Sequence, residues 1–189
     1  VLGRYLSNGS MDILTHMGAD SAGRLEKGWD WNRIPGATAL NRPWEVLQAP
    51  PESRVHMPTL IGNRINGSSN LEGRFGAFGS ILAENGSAPR FDPSFRAVKS
   101  VFAFDDRLIA LGSSITSGTG YPVETTLFQY ALHGKRAKNR PVYIGGNPQT
   151  GTVDESLKTP CLLADAMGNG WYVVHSDGKV RVRRGAQYS

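Results

Sequence analysis

The sequence predicts an all-β chain built as an antiparallel β-sandwich. Three observations point there. Short apolar runs recur along all 189 residues, several alternating apolar with polar positions. Clusters of Gly, Asn and Pro separate them, and Gly (23) and Pro (11) are frequent enough to supply many turns. No segment keeps a long 3.6-residue period, and no βαβ rhythm appears, so a parallel sheet with crossover helices is excluded.

Taken in chain order, the first strand is expected at Met11 to Thr15. The best helix signal, Pro43-Trp44-Glu45-Val46-Leu47-Gln48, supports one or two turns, with Asn41 as cap and Pro50-Pro51 as stop. A strand is expected at Arg74 to Ala83. The runs Ala97 to Phe104 and Leu108 to Gly112 flank Asp105-Asp106-Arg107 and read as a hairpin. Further strands are expected at Thr125 to Ala131 and Val142 to Gly145. Trp171 to His175 and Val180 to Arg183 flank Ser176-Asp177-Gly178-Lys179, which reads as a second hairpin with an Asp-Gly turn. Val180 and Val182 alternate with Arg181 and Arg183, so one face of that strand is buried and the other wet. Three Asn-Gly-Ser sequons, at Asn8, Asn66 and Asn85, read as turns because Asn-Gly is itself a turn former.

Apolar residues make up 39% of the chain, enough to bury a core. A single cysteine, Cys161, excludes an internal disulfide and a cysteine zinc site. No apolar run is long enough for a membrane-spanning helix. The chain opens at Val1 without an initiator Met or a leader pattern and ends at Ser189 just after a strand. Both ends read as cuts through a larger sheet system, with edge strands that a parent protein covers. The formal charge of +5 suits a polyanionic partner: nucleic acid, anionic lipid or acidic polysaccharide. The one dense basic cluster, Lys135 to Arg140, lacks interleaved aromatics and reads as a solvated loop.

Several generic motifs fail. Gly73-Arg74-Phe75-Gly76-Ala77-Phe78-Gly79 has the wrong glycine spacing for a dinucleotide fingerprint, and Gly112-Ser113-Ser114 is no nucleophile elbow. His16, His56, His133 and His175 show no metal-ligand spacing. The segment Gly28-Trp29-Asp30-Trp31-Asn32-Arg33-Ile34-Pro35-Gly36 stands apart. Tryptophan beside Asn and Arg suits sugars: a flat apolar face stacks on a pyranose while polar groups hold hydroxyls and carboxylates. The competing reading is a half-buried strand with core tryptophans and a surface arginine.

GWDWNRIPGAT resembles the W-D-W-N-R signature of polysaccharide lyase family 8, in its broad-specificity chondroitin sulfate ABC lyase branch. The resemblance continues collinearly through Ser68 to Gly79, Arg90 to Ile115 and Val123 to Leu132, weakens after Gly134 and returns at Gly168 to Val174. It implies that this chain is the central β region of a larger lyase, truncated at both ends, packing against an upstream α/α toroid and followed by a further β domain. It also implies a bacterial, periplasmic or secreted enzyme. Such enzymes cleave chondroitin and dermatan sulfate, with hyaluronan as a further candidate, by β-elimination to 4,5-unsaturated uronates. Of their catalytic His-Tyr-Arg-Glu set, the Arg matches Arg33 and the Glu matches Glu124. The His and Tyr lie upstream, so the isolated fragment is expected to be inactive. No cofactor is implied for this chain.

Chemically, an arginine suits this reaction because it stays charged and its fork addresses a phenolate, a glycosidic oxygen or a carboxylate. Glu124 is expected within hydrogen-bonding distance of Arg33, which faces an open groove; the alternative for Glu124 is an ordinary strand-edge carboxylate. Trp29, Trp31, Asn32 and Arg64 are candidate substrate contacts. The runner-up function is a non-catalytic carbohydrate-binding β-sandwich module. A nucleic-acid binder ranks third, since no recognition helix, RNA-binding string or zinc motif is present.

Overall fold

A computed structural model describes residues 30, 32–43, 46, 66–84, 92–130 and 139–185. Twelve strands lie among the described residues, and every strand pairing whose register is resolved is antiparallel. Packing divides the chain into two compact units, one of Val1–Ala37 with Thr125–Ser189 and the other of Thr38–Glu124.

In the second unit, β2 (Asn66–Leu71), β3 (Phe75–Ala83), β4 (Arg96–Phe104) and β5 (Arg107–Thr116) form a four-stranded meander. β1 (Thr38–Leu40) pairs with β6 (Val123–Thr125). Alternation along β4 sends Ala97 to a core with Leu40 and Phe95, against which Leu82 and Val123 pack. Lys99, on the same face as Ala97, donates from Nζ to Thr38 Oγ1 at 2.9 Å, and burial pushes its ammonium pKa down. β5 is an edge strand exposed along its whole length, with Leu108 73% and Leu111 54% exposed.

The expected hairpin at residues 105 and 106 is present, with Phe104 opposite Arg107 and Asp105 in the left-handed region at φ 50°. Asn66-Gly67 is not a turn. It lies inside β2, opposite Ser80 and Gly79. The turn sits instead at Glu72-Gly73, where both residues are left-handed (φ 55° and 68°) and Asn70 Oδ1 accepts the Gly73 amide at 2.9 Å. In the candidate helix, Val46 is helical and its amide donates to the Pro43 carbonyl at 3.0 Å; residues 44, 45, 47 and 48 lie outside the described residues, as does Met11 to Thr15.

One end of this unit is fixed by charge. Arg42, 8% exposed, meets Glu84 through two hydrogen bonds of 2.8 and 2.5 Å. Glu84 also accepts the Asp92 amide at 2.6 Å. Asp92 is 3% exposed and accepts from Ser94 Oγ (2.5 Å), the Ser94 amide (2.8 Å) and Ser117 Oγ (2.6 Å). Burial opposes its charge, but these hydrogen bonds and the Arg42 charge outweigh it, so its pKa lies below the ordinary carboxylate value.

In the first unit, β7 (Val142–Ile144), β8 (Asn147–Gln149), β10 (Cys161–Ala164) and β11 (Gly170–Val173) form a sheet in the order β11-β10-β7-β8. β9 (Val153–Leu157) pairs with β12 (Val180–Arg184). The two sheets share a core of Val142, Leu163 and Val182. The hairpin expected between residues 171–175 and 180–183 does not form: β11 pairs with β10 and β12 with β9. Two forces select the non-local partner. Val182 is buried while Arg181 meets Asp154 of β9 at 2.6 and 2.7 Å. The segment between β11 and β12 instead closes on itself, with the Gly178 amide on Ser176 Oγ at 3.2 Å. The strand expected at Thr125 to Ala131 does not form: only Thr125 is in a strand, as the last residue of β6, residues 126–130 are not in a strand, and Ala131 lies outside the described residues. Leu127 and Phe128 both pack on the same core, and consecutive inward residues are incompatible with strand alternation.

Truncating Leu163, 2% exposed at the centre of this core, is expected to cost about 2–5 kcal/mol in urea unfolding of the Leu163→Ala variant. A second expectation concerns acid. The lowered pKa of Asp92 means that its contribution is present above its unfolded pKa and lost as pH falls through the folded value. Asp92→Asn removes that titration, so its urea midpoint is expected to fall less than wild type between neutral pH and about pH 3. Parallel declines would contradict it.

Candidate functional site

The described residues 30 and 32–37 lie in two successive turns and not in the half-buried strand that alternation allowed. The Arg33 amide donates to the Asp30 carbonyl at 3.0 Å, closing the first turn. Asp30 Oδ1 accepts the Asn32 amide at 2.9 Å, the Asx arrangement that a short acidic side chain makes with its own backbone. The second turn, Ile34-Pro35-Gly36-Ala37, closes through the Ala37 amide on the Ile34 carbonyl at 2.9 Å. Proline presets its first central position, and Gly36 supplies φ 81° at the second. Strand parity therefore does not govern which way Arg33 points.

Asp30 places the arginine directly. Its Oδ2 pairs with Arg33 Nη1, and the two side chains are 21% and 31% exposed. The guanidinium is half-buried, fixed by a carboxylate three residues upstream, and still in reach of solvent.

The turn is held from outside by Gln129. Its Oε1 accepts the Asp30 amide at 2.8 Å. Its Nε2 donates to the Asp30 carbonyl at 3.0 Å and to the Arg33 carbonyl at 2.8 Å. One side-chain amide thus uses both donors and its acceptor on the two ends of a single turn. Gln129 is itself anchored by what precedes it. Leu127 and Phe128 pack on the Val142–Leu163–Val182 core, and the Phe128 ring lies 4.9 Å from that of Trp171. Closer to β1, the Gly36 amide donates to the Thr126 carbonyl at 2.8 Å and the Thr126 amide to the Ala37 carbonyl at 3.0 Å. The turns of residues 30 and 32–37 are therefore stitched to Thr126 and Gln129 by backbone and side chain alike.

Glu124, half-buried in β6, belongs to the second unit, whereas Arg33 belongs to the first. Within its unit Glu124 accepts from Asn41 Nδ2 at 3.2 Å, and the Asn41 amide donates to the Pro122 carbonyl at 2.8 Å. Asn32 is half-buried beside Arg33. Trp29, Trp31 and Arg64 lie outside the described residues. His175 is an exposed residue paired with Asp177 at 3.0 Å. Among the described residues no group of three or more His, Cys, Asp or Glu side chains is arranged to hold a metal.

Asp30 and Gln129 escaped the sequence reading. Asp30 was legible in principle, since an Asp three residues before an Arg suits a turn that returns the carboxylate to the guanidinium. Gln129 was visible only as the last letter of a matching string, because its partners lie nearly a hundred residues away.

Residues 1–189 match the family model described as polysaccharide lyase family 8, super-sandwich domain. The chain is similar to a chondroitin sulfate ABC endolyase of Proteus vulgaris, at 36% identity over 99% of this chain. It is also similar to chondroitin sulfate ABC exolyases of Bacteroides thetaiotaomicron (32% identity, 90% of the chain) and of Proteus vulgaris (36% identity, 88% of the chain). It spans 18%, 16% and 17% of those three proteins, respectively. With a family model covering its full length over an antiparallel all-β fold, this chain belongs to polysaccharide lyase family 8.

Proposed function

We propose that this chain serves a glycosaminoglycan lyase that cleaves chondroitin sulfate by β-elimination, and that it supplies two members of the catalytic set, Arg33 and Glu124. The observation that carries the reading is the state of Arg33: a half-buried guanidinium locked by Asp30 on a turn, with part of its surface still open to solvent. The similar proteins, named as chondroitin sulfate lyases, support the substrate class.

The chemistry calls for such a residue. Elimination removes the C5 proton of a uronate, moves that electron pair into the C4–C5 bond and expels the O4 leaving group, which takes up a proton. Negative charge builds on the uronate carboxylate along the way, and a fixed cation aimed at it lowers the barrier. Arg33 is always charged and presents planar donors to a carboxylate or a phenolate. A tyrosine base needs a nearby cation to lower its pKa, a second duty the same side chain suits. Base and acid come from residues outside this chain. Glu124 acts with Arg33 as the carboxylate of the set, while Trp29, Trp31, Asn32 and Arg64 contact the sugar chain. Dermatan sulfate and hyaluronan share the uronate that the reaction needs and extend the substrate range. The parent enzyme packs this region against a helical toroid and works in the periplasm or outside the cell, where such polymers are met.

In the parent enzyme, Arg33→Lys is expected to lower kcat by about 100-fold or more, because an ammonium keeps the charge and loses the fork. Glu124→Gln is expected to lower kcat more than it raises KM. Both are read from the absorbance of the unsaturated uronate. Unchanged turnover with weakened polysaccharide binding would assign the chain to carbohydrate binding instead. The isolated chain is expected to produce no enzyme-proportional absorbance growth from chondroitin sulfate.

A further inference from the structure

We propose that Gln129 is a positioning residue for Arg33, setting the place from which the guanidinium acts; this rests on the role proposed for Arg33 and adds to it the residue that holds it. Gln129 grips both ends of the turn. Its oxygen takes the Asp30 amide, and its nitrogen bonds the carbonyls of Asp30 and Arg33. The Asp30 carboxylate, carried on the backbone that Gln129 grips and accepting the Asn32 amide, pairs with the guanidinium. Backbone and head group of Arg33 are thus referred to one side chain.

That side chain does not float. Leu127 and Phe128, both half-buried, pack against the core immediately before it, and the Phe128 ring lies 4.9 Å from that of Trp171 at a tilt of 35°. The core of the first unit therefore fixes Gln129, Gln129 fixes the turn, and the turn fixes Arg33. The amide is chemically specific. Glutamate at this position offers no donor when ionised and sets a carboxylate against two carbonyl oxygens, and asparagine is one methylene too short to keep both ends. Misplacing a catalytic group by about 1 Å can cost on the order of 100-fold in rate, so the grip has kinetic weight.

The test is a double-mutant cycle in the parent enzyme, with kcat and KM on chondroitin sulfate measured at high enzyme concentration. Gln129→Ala is expected to lower kcat by about 10- to 100-fold with KM changed less than about threefold, because the loss falls on charge present only in the transition state. In the Arg33→Ala background the same substitution is expected to have almost no further effect on kcat. Gln129→Met, close in shape and without hydrogen-bonding groups, serves as the second variant and is expected to behave like Gln129→Ala. An equal fold-loss in both backgrounds, or wild-type kcat in Gln129→Ala, overturns the proposal while leaving Arg33 in its role. An Arg33→Ala enzyme with full kcat overturns the role of Arg33 itself. If neither Gln129 variant yields folded enzyme, Gln129 serves stability and the positioning role is overturned.

Discussion

The arrangement at Arg33 depends on a side-chain amide that, beside two backbone hydrogen bonds at Thr126, ties two distant segments together. Gln129 reaches across to the turn at Asp30–Arg33 with three hydrogen bonds of 2.8 to 3.0 Å. Buried or half-buried backbone groups at a turn must find partners, because a lost hydrogen bond in a dry place costs about 1–3 kcal/mol. Here the partner comes from a segment already held by hydrophobic packing. A turn of a few residues, which alone would sample many conformations, inherits the rigidity of a core. This is how a solvent-reachable arginine can keep one orientation without being buried.

The two units solve the same problem with different materials. The first relies on apolar contacts between two small sheets, with the exposed pair of Arg181 and Asp154 tying β12 to β9 at the surface. The second has a small core of Leu40, Phe95 and Ala97 and adds a dry polar network in which Arg42, Glu84 and Asp92 satisfy one another and the Ser94 backbone. Such networks are stable only when every member is paired, and they respond to acid where apolar cores do not. β5, exposed on both faces and along one edge, marks where this unit is left open.

Much of the fold was legible in the sequence because it is local. The β3–β4–β5 meander follows from apolar runs and a two-residue turn, and Val180 and Val182 show their burial by alternation. Two of the misses were non-local. Asn66-Gly67 is a strong turn signal overridden by pairing with β3, while Glu72 accepts a left-handed conformation its residue type disfavours. β12 selects β9 rather than its neighbour because Arg181 meets Asp154 and Val182 meets the core. Among the candidate residues, Arg33 and Glu124 were reached through motif resemblance, whereas Asp30 and Gln129 were not, since hydrogen bonds to backbone leave no motif to announce them.

Residue-resolved amide hydrogen exchange on the parent enzyme tests the central claim most directly. If Gln129 holds the turn, the Asp30 amide on Gln129 Oε1 and the Arg33 amide on the Asp30 carbonyl exchange slowly, with protection near that of the β10 amides. Exchange of these two amides at the rates of an open chain, with β10 protected, would contradict it.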